Sequence, residues 1–185
     1  MLNAIRDQAL HRLDGDFLEI GVFLGGGTYK LAKLLATEAP QRTLFAVDIF
    51  DPDFDSTTAE GVAMADIYTA HIDGFSTATQ RELFDQVTAN LSNLTVIEGD
   101  STKVEIPTDK LAFSFIDGHH AVEYVRKDFQ TAWQRTVPGG VVALHDYGSN
   151  LPSVTHTVNA LIGEHAKEIA RTWVHGIIVF VQRER

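Results

Sequence analysis

One stretch limits the fold more than any other: Phe17-Leu18-Glu19-Ile20-Gly21-Val22-Phe23-Leu24-Gly25-Gly26-Gly27-Thr28. It opens as a short apolar run of the buried-strand type, turns through glycines, and passes into a helical pattern from Thr28 to about Glu38. A strand, a tight turn and a helix form the first unit of an α/β domain built on a parallel sheet. Glycines let a backbone approach a ligand closely, and a helix N-terminus offers unpaired N–H groups with a partial positive charge. The spacing, Glu-x-Gly-x-x-x-Gly, differs from the Gly-x-Gly-x-x-Gly of a dinucleotide pyrophosphate loop. A carboxylate at Glu19 would repel a pyrophosphate and suit a cationic ligand. Loop and carboxylate together point to a zwitterionic amino acid joined to a nucleoside, the chemistry of S-adenosylmethionine.

The rest of the chain repeats the alternation. Strands are expected at Phe17–Gly21, Thr43–Asp48, Leu94–Glu98, Leu111–Asp117 and Val141–Asp146. Helices are expected at Thr28–Glu38, Arg81–Asn90, Val122–Arg135 and Pro152–His165. Pro138-Gly139-Gly140 reads as a turn into the fifth strand. Two last strands, Glu168–Val174 and Gly176–Gln182, lie close enough to form an antiparallel hairpin at a sheet edge. The expected fold is α/β: a Rossmann-like, seven-stranded mixed sheet, mostly parallel, with helices on both faces. At 185 residues the chain fits one domain, 1–185, with a sizeable core. The acidic, Ser/Thr-rich stretch 51–80 is too long for an ordinary connection and reads as a lid insertion or a disordered loop. Its apolar residues Phe54, Met64, Ile67, Tyr68 and Phe75 are candidates for closing over a substrate.

Charge removes several function classes. With 25 acidic against 15 basic residues, net −10, the chain is unsuited to non-specific binding of nucleic acid or an anionic membrane. Apolar runs such as Ile177–Val181 are of strand length, too short to span a bilayer. There is no cysteine, hence no disulfide, thiolate nucleophile or thiolate metal site. Met1 to Asp16 carries charges throughout and lacks the apolar core of a signal peptide, so a cytoplasmic location is expected.

Open parallel sheets bind ligands at the carboxyl ends of their strands. Here those ends carry Glu19, Asp48, Asp100, Asp117 and Asp146. Any one of them could be an ordinary turn or helix-cap residue. Five in the same topological place are harder to dismiss. Asp48 is placed to accept from a ribose diol, Asp100 with Ser101 from an adenine amino group, and Glu19 to face the ammonium end of the ligand.

These residues carry a family resemblance. Phe17-Leu18-Glu19-Ile20-Gly21 with Gly25-Gly26, Ala46-Val47-Asp48 and Ile97-Glu98-Gly99-Asp100-Ser101 resemble a class I S-adenosylmethionine-dependent methyltransferase. Phe115-Ile116-Asp117-Gly118-His119-His120, Asp128, Trp133, Pro138-Gly139-Gly140 and His145-Asp146-Tyr147 resemble the group that includes macrocin-type sugar O-methyltransferases. The resemblance spans roughly Asp16 to Tyr147. It departs from the usual Asp-Gly-x-His-x-Tyr at Val122, with Tyr124 two residues later, and the N-terminal helical cover is short. It implies a small-molecule acceptor methylated at oxygen, with the cofactor held by Glu19, Gly21, Gly25, Asp48, Asp100, Ser101 and Asp117.

The resemblance also implies a divalent metal at Asp117, His145 and Asp146. Two carboxylates suit Mg²⁺, whereas the imidazole shifts preference toward Mn²⁺, Fe²⁺ or Zn²⁺. Alternatively His145 makes a structural hydrogen bond or serves as a base. His120 and His145 are the candidate catalytic bases, against a packing role for each. His119 is expected to be structural, and His11, His165 and His175 lie far from the strand ends. Trp133 is expected to pack on the sheet.

Three competing functions remain. A nicotinamide-dependent oxidoreductase would need the Gly-x-Gly-x-x-Gly loop, which is absent. A non-catalytic S-adenosylmethionine-binding or protein-interaction module would need only Glu19 to Asp100. Transfer to nitrogen or to a protein stays open. The short N-terminal cover leaves a face that a second copy of the chain could fill, making a homo-oligomer.

Overall fold

The computed structural model describes residues 1–74 and 78–185. A short helix α1 (Leu2–Asp7) and a 3₁₀ turn (Leu10–Arg12) lead into β1 (Asp16–Ile20), helix α2 (Gly26–Glu38) and β2 (Leu44–Asp48). A two-residue hairpin, β3 (Thr58–Ala59) and β4 (Val62–Ala63), precedes α3 (Met64–Asp73) and α4 (Gln80–Thr88). Then come β5 (Leu94–Glu98), β6 (Leu111–Ile116), α5 (Val122–Arg135), β7 (Thr136–Leu144), α6 (Pro152–Glu164), β8 (Ile169–His175) and β9 (Ile178–Arg183).

Seven strands form one sheet in the order β5-β2-β1-β6-β7-β9-β8. The first five run parallel; β9 is antiparallel to β7 and to β8. This is the expected mixed sheet with its C-terminal hairpin. The central strands are apolar on both faces because helices cover both. Phe17 of β1 packs with Ile5, Leu31, Leu35 and Phe113 on one side. Its neighbours Leu18 and Ile20 pack with Val47, Phe129, Trp133 and Leu161 on the other. Trp133 is buried there, as expected, and its indole N–H donates to Glu168 at 3.2 Å.

Two local expectations need correction. Pro138-Gly139-Gly140 lies inside β7 rather than before it. Pairing steps from Leu111↔Thr136 to Phe113↔Val141, so β7 bulges, and Gly139 with φ +82° absorbs the bend. The stretch 51–80 contains a hairpin and a ten-residue helix. Met64, Ile67, Tyr68 and Ile72 follow helical spacing, but flanking Ser, Thr and Gly obscure it in the sequence. Phe75 lies outside the described residues. Among those described, no helix is long and apolar enough to cross a membrane.

Candidate active site

The loops after β1, β2, β5, β6 and β7 enclose a cavity of about 580 Å³. Glu19, Gly21, Asp48, Asp100, Ser101, Asp117, His119, His120, His145 and Asp146 all line it. Gly25 does not; it caps α2 with φ +83°. Phe54, Met64 and Tyr68 of the 51–80 stretch close one side. Ile67 packs instead against the core.

The glycine loop is fitted to its neighbours. Gly21 has φ +80°, and a Cβ there would run into the Asp117 carbonyl and the Gly118 amide. A Cβ on Gly27 would strike Glu19 Oε1, so that glycine leaves room for a carboxylate at the start of α2. Glu19 is 2% exposed and accepts a 2.5 Å hydrogen bond from the Thr28 hydroxyl. Burial pushes its carboxyl up to about 8, against the Thr28 bond.

Asp48 is the clamp of the loop. Its Oδ2 accepts from the Val22 and Phe23 amides at 2.8 and 3.1 Å. Its Oδ1 accepts from the Phe50 amide at 2.7 Å and the Gln80 side chain at 3.3 Å. Burial raises its pKa while these donors oppose the rise. Asp100 is held by the Thr102 amide and hydroxyl at 2.9 and 2.7 Å and by Lys103 at 2.7 Å. Burial alone would raise it; the Lys103 and Thr102 bonds draw it down to about 2. Asp48 thus fastens the loop after β1 to the end of β2 and Asp100 holds its own loop, while both line the cavity.

Opposite this end lies a chain of acids and imidazoles. Asp55 Oδ2 lies 2.6 Å from His120 Nδ1, and His120 Nε2 lies 3.0 Å from Asp146 Oδ2. His145 Nδ1 is 3.2 Å from that same oxygen and 3.0 Å from Asp117 Oδ1. Burial works against protonating His120, but Asp146 and Asp55 outweigh it and carry the ring up to about 9. Burial likewise opposes charge on His145, and Asp117 and Asp146 carry it up to about 10. Asp55 and Asp146 fall well below the usual carboxylate range, because the imidazole bonds overcome burial. Asp117 opens partly onto the cavity yet sits deep among protein atoms, and that depth raises its pKa despite the His145 bond. Asp146 has φ +58°, a left-handed conformation that Asp tolerates better than most residues.

One ligand atom each from Asp117, His120 and Asp146 lies within 4.8 Å of the others, close enough to hold a single cation. Two carboxylates and an imidazole form a donor set that fits Mn²⁺ or Mg²⁺. The expected set had His145 in place of His120. His145 stands beside the group, with its Nδ1 in hydrogen-bond range of both carboxylates.

His119, expected to be structural, lines the cavity and is held by its neighbours. It stacks on Tyr124 with ring centroids 4.1 Å apart, and its Nδ1 accepts the Ala121 amide at 3.0 Å. Its 3.5 Å approach to Asp55 is therefore a neighbour contact between two acceptors rather than a hydrogen bond. His165 packs against Phe129 and Trp133, away from the cavity.

Sequence reasoning did not find Asp55, whose partner is 65 residues away. Its only local signal is the Asp-x-Thr turn, in which Thr57 donates to Asp55 through its amide and its hydroxyl. Nor did it show that Asp128 is fully buried beneath Gly118, with no well-formed hydrogen bond to either carboxylate oxygen among the described residues, the Ser101 hydroxyl being its nearest polar neighbour. Burial raises Asp128 to about 7, the nearby Ser101 hydroxyl lowering it only in part.

Comparison with known proteins agrees with the geometry. A family model for a methyltransferase domain matches residues 18–147. The O-methyltransferase NovP superposes with a TM-score of 0.76 at 20% identity, over 99% of this chain and 77% of that one. CalS11, a TDP-rhamnose 3′-O-methyltransferase of calicheamicin biosynthesis, gives 0.66 at 17% identity, over 98% and 76%. MycE from the mycinamycin biosynthetic pathway, solved with Mg and SAH, gives 0.57 at 16%; this chain spans 49% of its length. No curated protein matches the sequence. At these identities the solved structures share the fold, while the family model covers most of the chain: it belongs to the class I S-adenosylmethionine-dependent methyltransferases.

Proposed function

We propose that this methyltransferase acts on a hydroxyl of a small molecule, with His120 as the base. The observation that carries this reading is the bracketing of His120 by Asp55 and Asp146 at the wall of the cavity that Glu19, Asp48 and Asp100 also line. The loop at Gly21–Gly27, Asp48 and Asp100 with Ser101 hold the nucleoside, and Glu19 faces the ammonium. The acceptor oxygen attacks the methyl carbon in line with the sulfonium. The C–S bond breaks with its electron pair going to sulfur, and the hydroxyl proton passes to His120 Nε2 of the neutral ring, a form that gains population as pH rises toward about 9, so turnover rises with pH toward that value. A positioned base of this kind contributes on the order of 10²–10⁴-fold, and holding the two reactants in line contributes further.

Asp117, His145 and Asp146 are the residues we assign to a divalent metal, Mg²⁺ or Mn²⁺. Such an ion, when bound, lowers the pKa of a coordinated hydroxyl. The enclosing Phe54, Met64 and Tyr68 give the acceptor end an apolar cover that excludes water. The acidic balance of the chain also favours a small acceptor over nucleic acid.

A second reading rests on the convergence of Asp117, His120 and Asp146, which would make His120 a ligand. Manganese affinity of H120A and H145A separates the two, because only the true ligand's removal weakens it. The main reading is tested by calorimetry with S-adenosylmethionine and its demethylated product, with and without Mg²⁺ or Mn²⁺, followed by an acceptor screen that reads product release. Micromolar binding with turnover on hydroxyl compounds supports it. Binding without turnover on any of them favours the non-catalytic module.

A further inference from the structure

We propose that the acceptor enters this cavity without a phosphate or carboxylate: it is a neutral or amine-bearing hydroxyl compound, and a nucleoside-diphosphate-linked one is refused. The inference rests on the reading of the cavity as the site of a small hydroxyl acceptor and names that acceptor's charge class.

Among the described residues seven acids line the cavity, and no lysine or arginine does. Phe75, Ser76 and Thr77, which lie outside the described residues, are uncharged. Two bases stand close to lining residues, and acids hold both. Lys103 binds Asp100 at 2.7 Å, and Arg81, next to Gln80, binds Asp85 and Glu98 at 2.9 and 2.5 Å. The imidazoles are spent in the same way: His120 has a carboxylate at each ring nitrogen, and His145 has two at Nδ1. The start of α2, where an anion would be drawn, already has Glu19 bonded to Thr28.

A phosphate entering such a site gives up its hydration without gaining the guanidinium fork or ammonium that phosphate sites provide. Facing acids add repulsion. S-adenosylmethionine, with an ammonium and a sulfonium against one carboxylate, offsets one unit of the acidic charge, and a divalent ion offsets two. Even with Glu19 protonated and Asp100 paired to Lys103, acid remains in excess, and the net charge of −10 on the whole chain has the same sign. Leu24, Phe54, Met64, Tyr68 and Phe115 add apolar and aromatic wall, suited to an uncharged body. An amine is accepted where a phosphate is not. Asp51 lines the cavity, is exposed, and among the described residues bonds only to the Asp53 amide, at 3.1 Å. Its carboxylate can receive an ammonium.

The sign of the field in the cavity can be measured before any acceptor is known. Protein saturated with S-adenosylhomocysteine and Mg²⁺ is exposed to two nitroxides of similar size, cationic aminomethyl-PROXYL and anionic carboxy-PROXYL. Paramagnetic relaxation is read at the Met64 methyl and the Phe54 and Tyr68 amides, with the exposed Val87 methyls as the outside reference. The cationic probe is expected to relax the cavity signals faster, by roughly fivefold over the reference at about 20 mM salt. D51N is expected to lower that ratio. Equal relaxation by the two probes, or faster relaxation by the anionic one, overturns the proposal. The acceptor screen is then run in matched sets: a hydroxyl compound, its amino analogue, and its phosphate or nucleoside diphosphate ester at another hydroxyl. The esters are expected to be slower in kcat/KM by about 100-fold or more. An ester turned over as fast as its parent also overturns the proposal. Absence of S-adenosylhomocysteine binding, or turnover of no set at all, fails the methyl-transfer reading instead, and the nitroxide ratio, measured on the free protein, still decides the sign of the cavity.

Discussion

The two ends of the cavity are built differently. At the β1, β2 and β5 ends, Asp48 is tied to backbone amides of the loops after β1 and β2, Asp100 is tied to its own loop, and Glu19 is tucked against the first turn of α2. At the β6 and β7 ends, Asp55, His120, Asp146, His145 and Asp117 bond to one another, side chain to side chain. The first end is a rigid mould whose acids hold backbone in a ligand-ready shape. The second is a run of exchangeable protons, and such a run can take up or pass a proton as a rigid mould cannot.

Replacing His120 should separate the ends most sharply. H120A is expected to lower turnover on a competent acceptor by on the order of 10²–10⁴-fold, measured by product formation. Its affinity for S-adenosylmethionine should stay within about twofold by calorimetry. Equal loss of binding would show that the ends are not independent.

The reciprocal variant is D48A, which strands the Val22 and Phe23 amides. Leaving a buried donor unpaired costs about 1–3 kcal/mol, so cofactor affinity should fall roughly 10- to 100-fold.

Asp128 lies at the seam, beneath Gly118 of one end and beside Ser101 of the other. Its folded pKa is raised from 3.8 to about 7, so its contribution to stability is full below the unfolded value. That contribution is lost as pH rises from about 4 to about 7. D128N should therefore gain stability relative to wild type between pH 5 and pH 8, by roughly 2–3 kcal/mol in denaturant titrations. No difference between the two pH values would mean that the acid finds a partner in solution.

The smallest effect expected is a fraction of a proton. Glu19 stands near 8 in the free protein, and a ligand ammonium would favour its ionised form. Cofactor binding at pH 7 should then release protons, and affinity should rise with pH up to about 8 and level off. Calorimetry in buffers of different ionisation enthalpy measures the release, which E19Q should abolish.

The same contrast explains what could be read in advance. Part of the mould was legible because some of its bonds are local: Glu19 and Thr28 are nine residues apart, and Asp100 bonds to Thr102 two residues on, whereas the Asp48 bonds to Val22 and Phe23 span 26 and 25 residues. The mostly parallel sheet followed from the alternation of apolar runs and helices. The acid–imidazole run was half legible, since Asp117, His120, His145 and Asp146 fall at strand ends. Its outermost member was not, because Asp55 sits in a polar stretch that resembles ordinary loop. The helix α3 was hidden for a related reason, its apolar positions being few and set among turn-forming residues.

By itself, the sequence determined the doubly covered sheet, the glycine turn and the row of acids at the strand ends. Apolar periodicity and turn chemistry are local properties, and five apolar runs of strand length leave little choice once each must be buried. Only the tertiary structure decided that Asp55 reaches across 65 residues to His120 and that His145 bridges two carboxylates. It also decided that β7 bulges and that Asp128 is sealed beside Ser101 with no charged partner among the described residues. Those outcomes depend on which loop tips meet above the sheet, and that is set by packing between elements distant in the chain.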